Sequence, residues 1–300
     1  MARCVLITNP VASRTSPDVA DTVVRKFRAA GWSIDLLETR RPEDSRAFAA
    51  EAVAAGTDVV AVFGGDGTTM QAAAALVGTD VTLGLVPGGT GNVLAGNLRI
   101  PPRPVQAAEL ILRGRPRRID LGRIERSDGF HYFGVACGAG ADALVMGGTP
   151  TEAKRRYGIG GYFDALFKLI PAIRSTRFTV TVDGKPLSME AATVMVLNCG
   201  ELIPPVVRAR REARPDDGIF DVIALAADSP WEAVRGVTRA LANVVLETGE
   251  TGYVRYARGR EVTIEADPPE PVQFDGDLAG TTPVTAVIQP GVLRVVAPER

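Results

Sequence analysis

The sequence predicts an α/β protein in two parts: a parallel-sheet α/β domain first, then a mostly antiparallel β-sandwich domain. Three observations predict it. Up to about residue 117, short β-branched runs alternate with helical segments, the pattern of right-handed βαβ units over a parallel sheet. Two of those runs stop at glycine clusters, Gly64-Gly65-Asp66-Gly67-Thr68 and Pro87-Gly88-Gly89-Thr90-Gly91-Asn92. From Ile119 onward the segments read as strands joined by turns, with Asp183-Gly184 as a good hairpin signal. The 300 residues are enough for about two domains.

In order, Cys4 to Asn9 is a first strand, closed by Asn9-Pro10 and the polar loop Val11-Ala12-Ser13-Arg14-Thr15-Ser16. A helix starts at Pro17 with Ser16 as its cap and carries Val19, Val23, Val24 and Phe27 to a stop at Gly31. Trp32 to Glu38 alternates apolar and polar residues as a second strand and ends at Thr39. Glu43 to Ala55 is a second helix, stopped at Gly56, and Val59 to Phe63 is a third strand, apolar throughout as buried parallel strands are. The strong helix formers from Thr69 to Leu76 follow the first glycine cluster, and Val81 to Val86 is a fourth strand running into the second. The character changes near Arg113 to Arg118, which sets a boundary at 117/118, with residues from about 290 to 300 expected to return to the first domain. In the second domain, residues 118–289, strands are expected at Asp120 to Arg126, Phe130 to Cys137, Arg177 to Val182, Ala192 to Asn198, Ile219 to Ala226, Val254 to Ala257, Glu261 to Glu265 and Val272 to Phe274, with a helix from Pro230 to Leu246.

Composition narrows the function. A net charge of −1 gives no global electrostatic footprint for nucleic acid. Cys4, Cys137 and Cys199 are scattered and odd in number, against a disulfide framework and in favour of a reducing compartment, and none has metal-ligand spacing. The N-terminus lacks a secretion signal and no apolar run reaches the length of a membrane span, so a cytoplasmic protein is expected, attached at most to a membrane surface. His131 is the one histidine, which disfavours zinc and serine–histidine chemistry and leaves carboxylates as the main chemical equipment.

Glycine loops after parallel strands have a physical use. Ligands sit beyond the carboxyl ends of such strands. Bare backbone N–H groups and a helix N-terminus let a phosphate approach closely. Asp66 would repel phosphate directly; its natural use is to hold a Mg²⁺ that holds the phosphates. Two loops with one acid and Thr90 make a phosphate cradle, and the first domain reads as nucleotide-binding. Neither loop has the Walker pattern or a Gly-x-Gly-x-x-Gly at the first strand.

These two motifs resemble the catalytic domain of diacylglycerol kinases and sphingosine kinases, in the soluble bacterial lipid-kinase branch. Asn9-Pro10, Asn97-Leu98-Arg99-Ile100-Pro101, Asp120-Leu121-Gly122, Asp216-Asp217-Gly218 and Asp275-Gly276-Asp277 agree with that family in order, so the resemblance covers nearly the whole chain. It implies an ATP-dependent, Mg²⁺-requiring kinase that phosphorylates the hydroxyl of diacylglycerol or a related long-chain lipid. It implies ATP contacts from Asn9, Pro10, Val11, Ala12, Ser13, Thr39, Gly64, Gly65, Asp66, Gly67, Thr68, Thr69, Met70, Gln71, Gly89, Thr90 and Asn92. Asp66, Asp120 and Asp275 would form a carboxylate network around the catalytic Mg²⁺, and Asp277 falls where the family carries a glutamate as general base. Asp217 would bind a second, structural Mg²⁺ with the backbone carbonyls of Arg214 and Ile219. If Val272 to Phe274 continues extended, Asp275 and Asp277 lie on one face, one toward the metal and one toward the substrate.

The sequence departs from the family at several positions. Asp277 is one methylene shorter than the glutamate, about 1.5 Å of reach, a displacement that can cost about a hundredfold in rate. Met70 and Gln71 stand where the family often has asparagine and glutamate, and Val93 replaces an aspartate. For reaching a lipid at the membrane surface, Lys154-Arg155-Arg156-Tyr157 beside Tyr162, Phe163, Leu166, Phe167, Leu169 and Ile170 is one candidate, and Val206 to Arg211 is a second basic patch. A core-covering helix and a solvated loop are their ordinary alternatives. A homodimer is among the allowed assemblies. Two other functions stay open: a kinase for a soluble acceptor such as NAD, and a non-catalytic Mg-ATP-binding module.

Overall fold

A computed structural model describes residues 1–126, 129–141, 143, 175–203, 207–208, 213–225 and 254–299. The chain divides into two compact units, Met1–Ile119 with Gly291–Arg300, and Asp120–Pro290. The expected α/β class is found: a parallel sheet in the first unit and antiparallel sheets in the second.

The first unit contains β1 (Arg3–Thr8), α1 (Pro17–Ala29), β2 (Ser33–Glu38), α2 (Asp44–Ala54), β3 (Val59–Gly64), α3 (Asp66–Leu76), β4 (Thr82–Pro87), α4 (Val93–Asn97) and α5 (Pro104–Arg113). The strands lie in the order β2-β1-β3-β4, all parallel, with Cys4 opposite both Ile34 and Val59. Every residue of β3 and β4 is buried, which explains their unbroken apolar runs. Right-handed crossovers put α1 on one face and α2 and α3 on the other; accordingly α1 packs with α5, and α2 with α3. Ser16 caps α1 by accepting the Val19 N–H, Pro17 takes the first helical position, and Ala20, Val23, Val24 and Phe27 are its buried stripe.

α3 differs from the sequence expectation in one informative way. It begins at Asp66 rather than Thr69, behind Gly65 in extended conformation. An acid at the first position of a helix is favoured by the partial positive charge there, so Asp66, Gly67 and Thr68 form the first turn instead of a separate loop.

The second unit opens in β5 (Pro116–Arg126), whose residues from Asp120 belong to it, and continues through β6 (Gly129–Phe133), β7 (Ala136–Gly140), β8 (Thr176–Val182), β9 (Lys185–Ala191), β10 (Thr193–Leu197), β11 (Glu201–Ile203), β12 (Val207–Arg208), β13 (Phe220–Leu225), β14 (Val254–Gly259), β15 (Glu261–Asp267), β16 (Pro271–Phe274), β17 (Asp277–Thr281) and β18 (Val284–Val296). Residues of β18 from Gly291 on belong to the first unit, where Arg294 and Val295 add in parallel to β4. One antiparallel sheet has the order β14-β13-β10-β7-β16-β17, and β9-β8-β15 continues to the start of β18 in another. Phe133, Phe178, Val196, Phe220, Val222, Val262 and Ile264 fill the core of this unit, with Phe133 stacked on Phe220 at 5.6 Å.

The expected single strand from Phe130 to Cys137 is two. β6 pairs with β5 and β7 with β10 and β16, and the chain breaks at Gly134 and Val135. The amides at the break are taken by a side chain, as described below. The expected helix at Pro230 to Leu246 and the basic and apolar segment from Lys154 to Ile170 lie outside the described residues. So does the Val206 to Arg211 patch, apart from β12. Among the described residues, no helix is long and apolar enough to cross a membrane.

Candidate active site

In the first unit the functional residues expected from sequence collect on the carboxyl edge of the parallel sheet. Asn9 ends β1, Thr39 follows β2, Gly64 ends β3 and Gly88 follows β4. Strand order reverses between β1 and β3, which is where ligands of open α/β sheets bind.

Asn9 is committed on every polar atom. Its N–H donates to Phe63 O at 3.1 Å and its carbonyl accepts the Thr15 hydroxyl at 2.7 Å. Its amide donates to Thr68 Oγ1 at 3.0 Å and accepts the Val11 N–H at 3.0 Å. The loop Pro10-Val11-Ala12-Ser13 is thereby pinned over the start of α3 while Pro10, Val11 and Ser13 stay exposed. Ser13 Oγ lies 3.0 Å from Thr90 Oγ1, and the Arg14 N–H donates to Gly88 O at 2.9 Å, so the loop after β1 also reaches the one after β4. Thr39 is buried with its N–H on Thr8 O. A buried Ser45 hydroxyl donates to Thr68 O at 2.8 Å from below.

The two glycine loops touch backbone to backbone. Gly88 N–H donates to Gly64 O at 2.8 Å, and a Cβ on Gly89 would come within 2.6 Å of the Gly65 Cα. Asn92, in left-handed conformation, closes its own loop through Gly89 N–H (2.9 Å) and Gly89 O (2.6 Å). Asp66 then crosses from the first loop to the second: its Oδ1 accepts the Leu94 N–H at 3.3 Å. Burial pushes the Asp66 carboxyl above its ordinary value, against the pull of the Val93, Leu94 and Asn92 amides. Behind it lies a cavity of about 10 Å³, room for one water at most. Further along α3, Thr69 and Met70 are buried and Gln71 is exposed.

In the second unit the acids have distinct surroundings. Asp120 is buried; its Oδ2 accepts the Gly218 N–H at 2.7 Å and its own N–H donates to Pro215 O at 2.6 Å. Asp275 accepts three consecutive N–H groups, from Gly134 (2.6 Å), Val135 (2.9 Å) and Ala136 (3.0 Å). These are the amides at the break between β6 and β7. Asp275 and Gly276 both have positive φ, +48° and +94°, and form a two-residue hairpin turn in which Phe274 opposes Asp277. The expectation that Asp275 and Asp277 share one face of an extended strand is therefore corrected: the turn sends Asp275 back into the amides and leaves Asp277 exposed. Asp217 accepts the Ile219 N–H at 3.3 Å and pairs with Arg258 Nη2 at 2.8 Å. Burial raises its carboxyl above the ordinary value, while the Ile219 amide and Arg258 oppose the rise. Arg214 Nε stands 3.8 Å from Asp216 Oδ1.

Sequence reasoning missed two residues here. Asn198, at 1% exposure, donates its amide to both Asp120 O and Gly134 O at 2.9 Å, so one buried side chain joins the Asp120 and Asp275 neighbourhoods. Its only signal was a polar residue closing an apolar strand. Arg258 carried no signal, since its partners lie far away in sequence. Among the described residues no group of three or more His, Cys, Asp or Glu side chains is close enough to hold a metal alone, so a magnesium ion here would need phosphate oxygens or water among its ligands.

A parallel sheet with paired glycine loops on its carboxyl edge, in one chain with an antiparallel sandwich bearing acids, has the build of a kinase. Residues 3–124 match the diacylglycerol kinase catalytic domain, and residues 135–297 match the YegS C-terminal NAD kinase beta sandwich-like domain. The chain belongs to the family of diacylglycerol kinase-like lipid kinases that these two domains define. It is 29% identical over 301 residues to a diacylglycerol kinase of Mycobacterium tuberculosis, covering 97% of this chain and 94% of that one. It is 26% identical over 304 residues to a diacylglycerol kinase of Bacillus subtilis, covering 100% and 97%. The crystal structure of a diacylglycerol kinase from Bacillus anthracis superposes with a TM-score of 0.77 at 20% identity over 99% of this chain and 97% of that one, a likeness of fold.

Proposed function

We propose that the protein transfers the γ-phosphate of ATP to the hydroxyl of diacylglycerol or a related long-chain lipid alcohol, with residues 1–117 taking the nucleotide and 118–289 the lipid. The observation that carries the reading is the pair of glycine loops locked together beside the strand-order switch, with Asp66 spanning them. The first turn of α3 offers N–H groups with no intrahelical partner, and Gly67 leaves open space above them. Asn9, Ser13 and Thr90 fix the rim of this cradle, and Thr39 closes its β2 side. Magnesium bound with ATP would neutralise charge on the phosphates, held in part by the lone pairs that Asp66 has left.

The acids of the second unit divide the remaining work. Asp275 and Asp120 are held by backbone N–H groups and act as fixed negative charges and positioning residues. Asp277 is exposed and has no partner among the described residues. It accepts the proton of the lipid hydroxyl as that oxygen bonds to the γ-phosphorus and the bond to ADP breaks. The lipid is met at a membrane surface.

The test is transfer of label from γ-labelled ATP to mixed micelles containing diacylglycerol or sphingosine, with NAD in a parallel reaction. Label in a phosphorylated lipid, lost with Asp277→Asn while Mg-ATP still binds, is expected. Label in NAD would move the acceptor to a soluble nucleotide, and tight Mg-ATP binding without turnover on any lipid would leave a binding module.

A further inference from the structure

We infer that Arg258 is a built-in cation: its guanidinium locks the 213–219 loop at the place where the family resemblance expects a structural magnesium ion, and this chain needs no divalent ion there. The donor set does not fit one. A divalent ion needs its carboxylate ligand open toward it, yet the Arg258 guanidinium holds Asp217 Oδ2 at 2.8 Å and puts a permanent positive charge where the ion would have to sit, while the Ile219 N–H takes Oδ1. It is the N–H of Ile219 that faces the carboxylate.

Arg258 is delivered by strand register. It sits on β14 directly opposite Asp221 on β13, and its Nε lies 3.4 Å from Asp221 Oδ1 while its Nη2 holds Asp217. Asp221 is 1% exposed and also accepts the Tyr256 hydroxyl. One planar, permanently charged fork thus bridges two carboxylates whose mutual repulsion would otherwise open the loop. The loop is fastened on its other side by Asp120, through Gly218 N–H and Pro215 O. A fixed guanidinium makes this fastening independent of ion concentration. The inference does not depend on which acceptor the protein phosphorylates.

The experiment is thermal melting of the full chain without nucleotide, in EDTA and in millimolar MgCl₂ or CaCl₂ at matched ionic strength. The wild type is expected to melt at the same temperature in each. Arg258→Ala is expected to melt lower, by about 3–10 °C given the partial exposure of the pair, and to gain a rise with divalent ion that Asp217→Asn removes. Arg258→Lys keeps the charge without the fork and should recover part of the loss. A wild-type melting temperature that rises with magnesium, and loses that rise in Asp217→Asn, would overturn the inference even if Arg258→Ala failed to fold. So would an Arg258→Ala protein as stable as the wild type.

Discussion

Replacing Gly67 by alanine separates what the fold requires from what the nucleotide requires. Gly67 is exposed in the first turn of α3, and nothing lies within 4 Å of where its Cβ would go. Within the protein the substitution touches nothing. Alanine is favoured over glycine in a helix by about 0.5–1 kcal/mol, so the variant should melt about 1–4 °C higher. The new methyl group nevertheless stands over the N–H groups where the phosphates are proposed to approach. Steric intrusion of that size costs about 1–3 kcal/mol, which is about 5- to 150-fold in Kd. Melting without ligand and calorimetric titration with Mg-ATP should therefore move in opposite directions, more stable and weaker binding. An intact Gly67→Ala protein that binds Mg-ATP as tightly as the wild type would refute the proposed phosphate position, because no structural damage could mask the result.

Gly89→Ala is the complementary case. Its Cβ would strike the Gly65 Cα at 2.6 Å, so stability should fall by about 1–3 kcal/mol and Mg-ATP affinity with it, both readable in the same two assays. Asp277→Glu restores about 1.5 Å of reach and should raise lipid phosphorylation by up to about a hundredfold; unchanged or lower kcat with ATP affinity intact would remove reach as the limit. Asp275→Asn replaces a carboxylate oxygen facing N–H donors with an NH₂ group, leaving at least one amide unsatisfied at about 1–3 kcal/mol; it should lower the melting temperature, whereas Asp277→Asn should not. The Arg40 and Arg41 amides hold the Asp44 carboxyl below its ordinary 3.8. A depressed carboxyl contributes stability above 3.8 that is lost as pH falls through its lower folded value. Asp44→Ala should therefore melt below the wild type at neutral pH and converge with it in acid.

The parallel sheet was legible because it is written locally. A fully buried strand must be apolar along its length, as Val59 to Phe63 is, and the glycines that follow mark its end whatever the rest of the chain does. The break in Phe130 to Cys137 was not legible, because its partner lies about 140 residues away: Gly134 and Val135 leave the strand, and their N–H groups, with that of Ala136 at the start of β7, donate to Asp275. The start of α3 at Asp66 lies between these cases. Its residue types suit a helix N-terminus, but three glycines in four positions read as loop until Gly65 is seen to cap the helix and Asp66 to meet the next loop.

The acids show why a motif identifies chemistry more readily than it assigns roles. Asp66, Asp217, Asp275 and Asp277 stand beside glycines and Asp120 lies two residues before one, and sequence treats them alike. What distinguishes them is how their oxygens are already occupied. Asp275 faces three N–H donors, Asp120 and Asp66 hold backbone amides across long sequence gaps, and Asp217 is paired with a guanidinium. An oxygen committed to an N–H donor orients the loop that donates it and is poorly placed to receive a proton. By that criterion the exposed Asp277 is the acid of this set that best suits the proposed role of base, and the others suit holding their own loops in place.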